Sequence, residues 1–231
     1  MPINAVDESQ RTAARIVGFT YLAVIAPAVF AEWVPARLLD YNDAAETARN
    51  IIAHDRLFRM AIASNLTAFA ADAILITALY VVLKPVNRTL ALLAAFWGLI
   101  ETTTLVVVTL NDFDVLRVLS DAAYLRVFGA DRLQVLARLS LGAHGAGYNV
   151  GLTFAGLRST AFAYLWFKSR YIPRGLAAWG IFSSLLLALC TFAFVIFPEL
   201  AKAITVGYYG APIFIFEATM GVWLLRKGIA S

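Results

Sequence analysis

Residues 133–167 read LQVLARLSLGAHGAGYNVGLTFAGLRSTAFAYLWF. The stretch is long enough to cross a bilayer, for which about 20 apolar residues suffice. It nevertheless carries Arg138, His144, Asn149 and Arg158. Charge at membrane depth is costly and persists only where it meets partners or water. This stretch is therefore expected to be the central helix of a membrane bundle with a polar interior.

Composition points the same way. The chain has 231 residues, 61% of them hydrophobic, and a mean hydropathy of +0.75. Soluble domains run near 45–50% apolar, roughly, so the excess has to be buried in lipid. Apolar runs at 15–33, 57–83, 90–110, 175–197 and 204–225 join the central one. The expected fold is an all-α, polytopic, six-transmembrane-helix bundle, a single domain over 1–231 with a polar tail at about 1–14. Pro27 is expected to kink the first helix, Pro35 to end it, and Pro198 to stop the fifth.

Short surface helices are expected in the loops after helices 1 and 3. In the first, Asp43 with Glu46 three residues on has the form of a capping box. In the second, 121–128 reads as a helix ending at Gly129, after which Asp131 with Gln134 would cap the central helix. The remaining turns are short and basic, for example KSRYIPR at 168–174.

Charge orients the bundle. With the N-terminus inside, the inner segments hold nine bases (Arg11, Arg15, Lys84, Arg88, Lys168, Arg170, Arg174, Arg226, Lys227) against Asp7 and Glu8. The positive-inside rule then puts both termini in the cytoplasm. The net charge of +4 is read as this orientation signal, so no nucleic-acid partner is expected. Cys190 is the only cysteine and has no disulfide mate. There is no HExxH, Cys pair, Gly-rich phosphate loop or GxSxG elbow, so neither metal nor cofactor is expected. The bilayer itself is the expected partner.

Polar residues inside the spans are the candidate site. Along the central helix, at about 100° per residue, His144, Tyr148 and Arg158 fall on one stripe and Arg138 and Asn149 on another. Glycine and alanine between them allow close helix approach. His144 and Arg158 are fourteen residues apart, roughly 21 Å along the axis, too far for one compact site. Asp72, Glu101 and Glu217 each fall near the middle of their own helices. Unpaired buried charge is expensive, so Arg158 is expected to pair with Asp72 or Glu217, and His144 to lie near Glu101. The polar interior is thus assigned to Asn65, Asp72, Glu101, His144, Tyr148, Asn149, Arg158 and Glu217.

Several segments together are similar to a catalogued family. They are Ala53-His54-Asp55 with Leu57-Phe58-Arg59, Leu83-Lys84-Pro85-Val86-Asn87-Arg88, Phe128-Gly129-Ala130-Asp131, His144 and Tyr148 with Gly151-Leu152, and Ser169-Arg170-Tyr171-Ile172-Pro173-Arg174. The arrangement resembles the bacterial membrane-protein family named domain of unknown function 4386, from about Arg11 to Lys227. The resemblance implies a six-helix protein of the bacterial inner membrane. It supplies no activity and no catalytic residue, but it draws attention to His54, Arg59 and His144 as groups that could approach one another.

Three functions compete. The first is binding or transport of a small or amphiphilic ligand within the bundle, with Asp72, Glu101 or Glu217 as its charged group. The second is a structural or accessory membrane subunit. The third is a membrane-embedded enzyme on a lipid-like substrate, using Glu101 or Asp72 as base and His144 as partner.

Overall fold

Every regular element in the described residues is a helix, as the apolar runs require. A computed structural model describes residues 7–40, 42–120, 125 and 127–230, with the side chains of Lys202 and Val206 excepted. The helices are α1 (Glu8–Leu38), α2 (Ala44–Ala53), α3 (Asp55–Leu83), α4 (Arg88–Val118), α5 (Ala130–Ser169), α6 (Arg174–Ile196), α7 (Pro198–Ala203) and α8 (Val206–Arg226). Five of them, α1, α3, α4, α6 and α8, are long and apolar enough to cross a membrane. The fifth helix in order, α5, has 40 residues but falls short in apolar content. Arg138, His144, Asn149 and Arg158, the side chains that singled it out in the sequence, are what dilute it.

The helices outrun the apolar windows. Helix α1 begins at Glu8 instead of 15, because Asp7 and Gln10 form a reciprocal cap: the Gln10 N–H donates to Asp7 Oδ1 at 2.7 Å and the Asp7 N–H to Gln10 Oε1 at 3.2 Å. Residues 8–14, expected as tail, are thus the first turns of a span. Pro27 and Pro35 both lie inside α1. Pro35 does not end the helix. Its carbonyl still accepts from the Leu39 N–H at 2.9 Å. Residues 111–118, expected as loop, continue α4. Helix α5 starts at Ala130, so Asp131 sits in its first turn and is not its cap; the Gly129 carbonyl takes the N–H groups of Arg132 and Leu133. The surface helix expected over 121–128 falls largely outside the described residues.

Asp43 does cap α2. Its carboxylate accepts the Ala45 and Glu46 N–H groups at 2.8 and 2.9 Å. These bonds, that to Glu46 foremost, hold its carboxyl below the usual range. Glu46 does not complete the box, because Arg49 takes its carboxylate at 2.6 Å. Phe197 and Pro198 break the chain between α6 and α7, as expected of that proline.

The chain divides into two compact units. Unit 1 comprises residues 1–24, 70–103 and 149–231. Its core is built on Val17 of α1, Leu79 and Leu83 of α3, Leu165 and Trp166 of α5, and Met220 and Leu224 of α8, all essentially without exposure. At one end of this unit Gln10 donates to the Val82 carbonyl (3.0 Å) and to the Tyr171 hydroxyl (3.3 Å), and the Tyr171 carbonyl accepts from the Ala230 N–H (2.9 Å). Those bonds tie the start of α1, the end of α3, the α5–α6 turn and the C-terminal segment together. The turn itself closes through Arg170, at φ 60°. Within unit 1, helix α5 meets α6 at Gly156, where a Cβ would lie 2.6 Å from the Ala188 backbone nitrogen.

Unit 2 comprises residues 25–69 and 104–148. Val34 and Leu38 of α1, Ile51 of α2, Phe58 and Ile62 of α3, Val115 and Leu116 of α4 and Ala137 of α5 form its core. The amphipathic α2 contributes Ile51 to this core and also buries Thr47 and Ala48.

Candidate functional site: the Arg158 centre

Unit 1 gathers mid-helix charge around one guanidinium. Asp72 lies eleven residues before the end of α3, Glu101 thirteen after the start of α4, Arg158 eleven before the end of α5, and Glu217 nine before the end of α8. At about 1.5 Å per residue these are 14–20 Å from the helix ends, the middle of a bilayer core about 30 Å thick. Helical periodicity then decides which of them meet.

Arg158 meets two. Its Nη1 donates to Asp72 Oδ1 at 2.8 Å. Its Nη2 donates to Glu101 Oε1 at 3.2 Å, and its Nε lies 2.8 Å from Glu101 Oε2. The planar fork of arginine suits two oxygens of one carboxylate and leaves a further N–H for a second acid. Arg158 and Glu101 are each 5% exposed. Asp72 is held from its other side by the Thr102 hydroxyl, which donates to Oδ2 at 3.2 Å. Room for the arginine stem comes from Gly98, one turn before Glu101 and Thr102. A Cβ there would sit 2.8 Å from Arg158 Cδ and 2.6 Å from Ile76 Cδ1.

Two further groups stand in the field of this cluster. Tyr21 of α1 is buried and interacts electrostatically with Arg158, Asp72, Glu101 and Glu217. Glu217 of α8 is half-buried and feels Arg158 and Asp72. Among the described residues no hydrogen bond or ion pair engages the Glu217 carboxylate. One cation therefore faces two contacting carboxylates with a third nearby.

Of the two partners expected for Arg158, Asp72 is in contact and Glu217 is not. The expectation that Glu101 lies near His144 is corrected by the structure: Glu101 belongs to Arg158, and His144 Nδ1 lies 3.0 Å from Asp112 Oδ1. The His144–Asp112 pair is in unit 2, with the Tyr148 ring stacked on His144 at 5.8 Å and 13°. Asn149 donates to the Thr191 carbonyl at 2.9 Å, beside a Thr153–Thr191 hydroxyl contact of 3.1 Å, and so joins α5 to α6. Asn65 is half-buried in unit 2. His54 and Arg59 have partners of their own: His54 Nδ1 is 3.0 Å from the Asn50 carbonyl, and Arg59 pairs with Asp55 at 2.9 Å. Among the described residues no group of three or more His, Cys, Asp or Glu side chains could hold a metal ion.

Residues 16–228 match the family model described as Domain of unknown function (DUF4386). The chain belongs to the DUF4386 family. The match spans Tyr21, Asp72, Glu101, Arg158 and Glu217, so the whole centre of this DUF4386 protein lies within the family region. Neither the curated proteins nor the solved structures contain a match.

Sequence reading missed Tyr21, Thr102, Gly98 and Asp112. Gly98, Glu101 and Thr102 stand at i, i+3 and i+4, the spacing of one helix face, and that signal was available. Asp112 was hidden because the apolar run ends just before it, as at the start of a loop. In this DUF4386 protein the Asp112 side chain is only 9% exposed and His144 Nδ1 lies 3.0 Å from its Oδ1, so the two should be energetically coupled. A double-mutant cycle with Asp112→Ala and His144→Ala, read by chemical unfolding in detergent, is expected to return about 1–3 kcal/mol of coupling. Additivity within about 0.3 kcal/mol would show that the contact carries nothing.

Proposed function

We propose that this protein is a six-span component of the bacterial inner membrane, with both termini cytoplasmic, that binds a small or amphiphilic ligand of positive charge at the Arg158 centre. The sixth span would be α5, whose polar side chains find partners within the protein. Basic inner turns support the orientation. The observation that supports the ligand reading is the number of carboxyl groups: Arg158 meets the buried Glu101 and the part-buried Asp72, and Glu217 adds a third carboxyl with no hydrogen bond or ion pair among the described residues. A cation entering such a place gains more than an anion or a neutral molecule of equal size.

A matched pair of hydrophobic ions tests this. Tetraphenylphosphonium and tetraphenylborate are similar in shape and opposite in charge. Purified protein is expected to bind the phosphonium at least about tenfold more tightly, a difference of about 1.4 kcal/mol, and Glu217→Gln is expected to remove most of that preference. Equal binding of the two ions, or a preference untouched by Glu217→Gln, would contradict the reading. One observation favours a second reading, an accessory subunit in which the centre only fixes packing: Arg158 is 5% exposed and already engaged by two acids. That reading predicts that neither ion binds.

A further inference from the structure

Unit 1 has an opening that does not involve the Arg158 centre. It lies between the first turns of α1 and the last turns of α3, with a volume of about 800 Å³. That is within the range of small-molecule sites, roughly 300–1,000 Å³. Its polarity is graded. Glu8, Ser9 and Thr12 line it from α1, followed by Ile16, while Ile74 and Val81 line it from α3. The bond from Gln10 to the Val82 carbonyl sets the direction: the Glu8 end of α1 lies by the Val81 end of α3, and Ile16 lies toward Ile74. Thr77 also lines the groove, but its hydroxyl donates to its own Ala73 carbonyl at 2.9 Å. The unspent polar groups are therefore at the Glu8 end. From Glu8 to Ile16 the groove descends about 12 Å along the helix.

Both walls are helices apolar and long enough to span a membrane, so bilayer lipid is the molecule present at this surface in highest concentration. A single acyl chain suits the apolar floor. Among the described residues the one ionisable group lining the groove is the Glu8 carboxylate, which selects a headgroup carrying a hydrogen-bonding cation. We infer that this groove holds one acyl chain of a membrane phospholipid whose primary ammonium headgroup meets Glu8. The site is independent of the ligand reading at Arg158, and either can fail without the other.

Native mass spectrometry of the full chain, released from nanodiscs of equimolar phosphatidylethanolamine and phosphatidylglycerol with identical chains, tests the inference. The wild type is expected to retain one phosphatidylethanolamine in about fivefold preference, the scale that one exposed ion pair can supply. Glu8→Gln should retain lipid but bring the ratio close to one. Ala73→Trp, which fills the groove from an exposed position, should lose the retained lipid, and Thr77→Trp serves the same purpose should the first variant not fold. No preference, preference for phosphatidylglycerol, a ratio unchanged in Glu8→Gln, or full retention in a folded tryptophan variant would each overturn it.

Discussion

Arg158→Ala is expected to lower the unfolding free energy by about 3–5 kcal/mol, the usual cost of removing one partner from a buried ion pair. Deleting the pair as a whole would cost much less. The difference arises because the alanine variant leaves Asp72 and Glu101 facing each other with no cation between them. Thr102 can stabilise only Asp72, and by a single hydroxyl at 3.2 Å. Glu101 is 5% exposed, so solvent can do little to replace the cation. Arg158→Lys should recover only part of the loss. An ammonium keeps the charge but cannot bring two nitrogens to Glu101 while a third reaches Asp72. Reversible unfolding in mixed micelles measures both variants. A loss below about 1 kcal/mol for Arg158→Ala, the range of exposed pairs, would mean that water reaches the centre and solvates its charges.

The second large effect is steric. Gly156→Val is expected to cost at least about 3 kcal/mol, the upper end of overpacking penalties. A Cβ at Gly156 would meet Ala188 at its nitrogen (2.6 Å), its Cβ (2.7 Å) and its Cα (2.8 Å). Two of those atoms are backbone, so no side chain can swing aside and α5 must move away from α6. That movement would also strain the Asn149–Thr191 and Thr153–Thr191 bonds between the same helices. Gly142 supplies the control: it is in the same helix, and a Cβ there would meet nothing within 4 Å. Gly142→Ala should be neutral or stabilise by up to about 1 kcal/mol, from helix propensity alone. If both substitutions behave alike in thermal unfolding, α5 and α6 do not approach so closely at Gly156.

The helical membrane architecture was largely legible in the sequence, because the length of an apolar run reports directly on bilayer thickness. Helix ends were less legible. Apolar runs mark where lipid begins and ends, whereas a helix continues into water as long as its caps and hydrogen bonds allow. Hence α1 starts at Glu8 on the Asp7–Gln10 cap and passes Pro35, and α4 continues through Asp112. In the site, depth could be counted along each helix, which made Arg158 with Asp72 a sound expectation. The assignment of Glu101 to His144 failed because depth says nothing of rotation about the helix axis. The face of α4 that carries Gly98, Glu101 and Thr102 had to be seen against α3 and α5 before its partner was known. His144 has a carboxylate of its own in Asp112, which the end of the apolar run at 110 assigns to a loop.

The measurement that bears most directly on the Arg158 centre compares Arg158→Ala with the neutral triple variant Asp72→Asn, Glu101→Gln, Arg158→Met. If the guanidinium is there to answer the Asp72 and Glu101 carboxylates, removing all three charges together should restore at least half of the stability lost in Arg158→Ala. A triple variant as unstable as the single one, or less stable, would contradict that account.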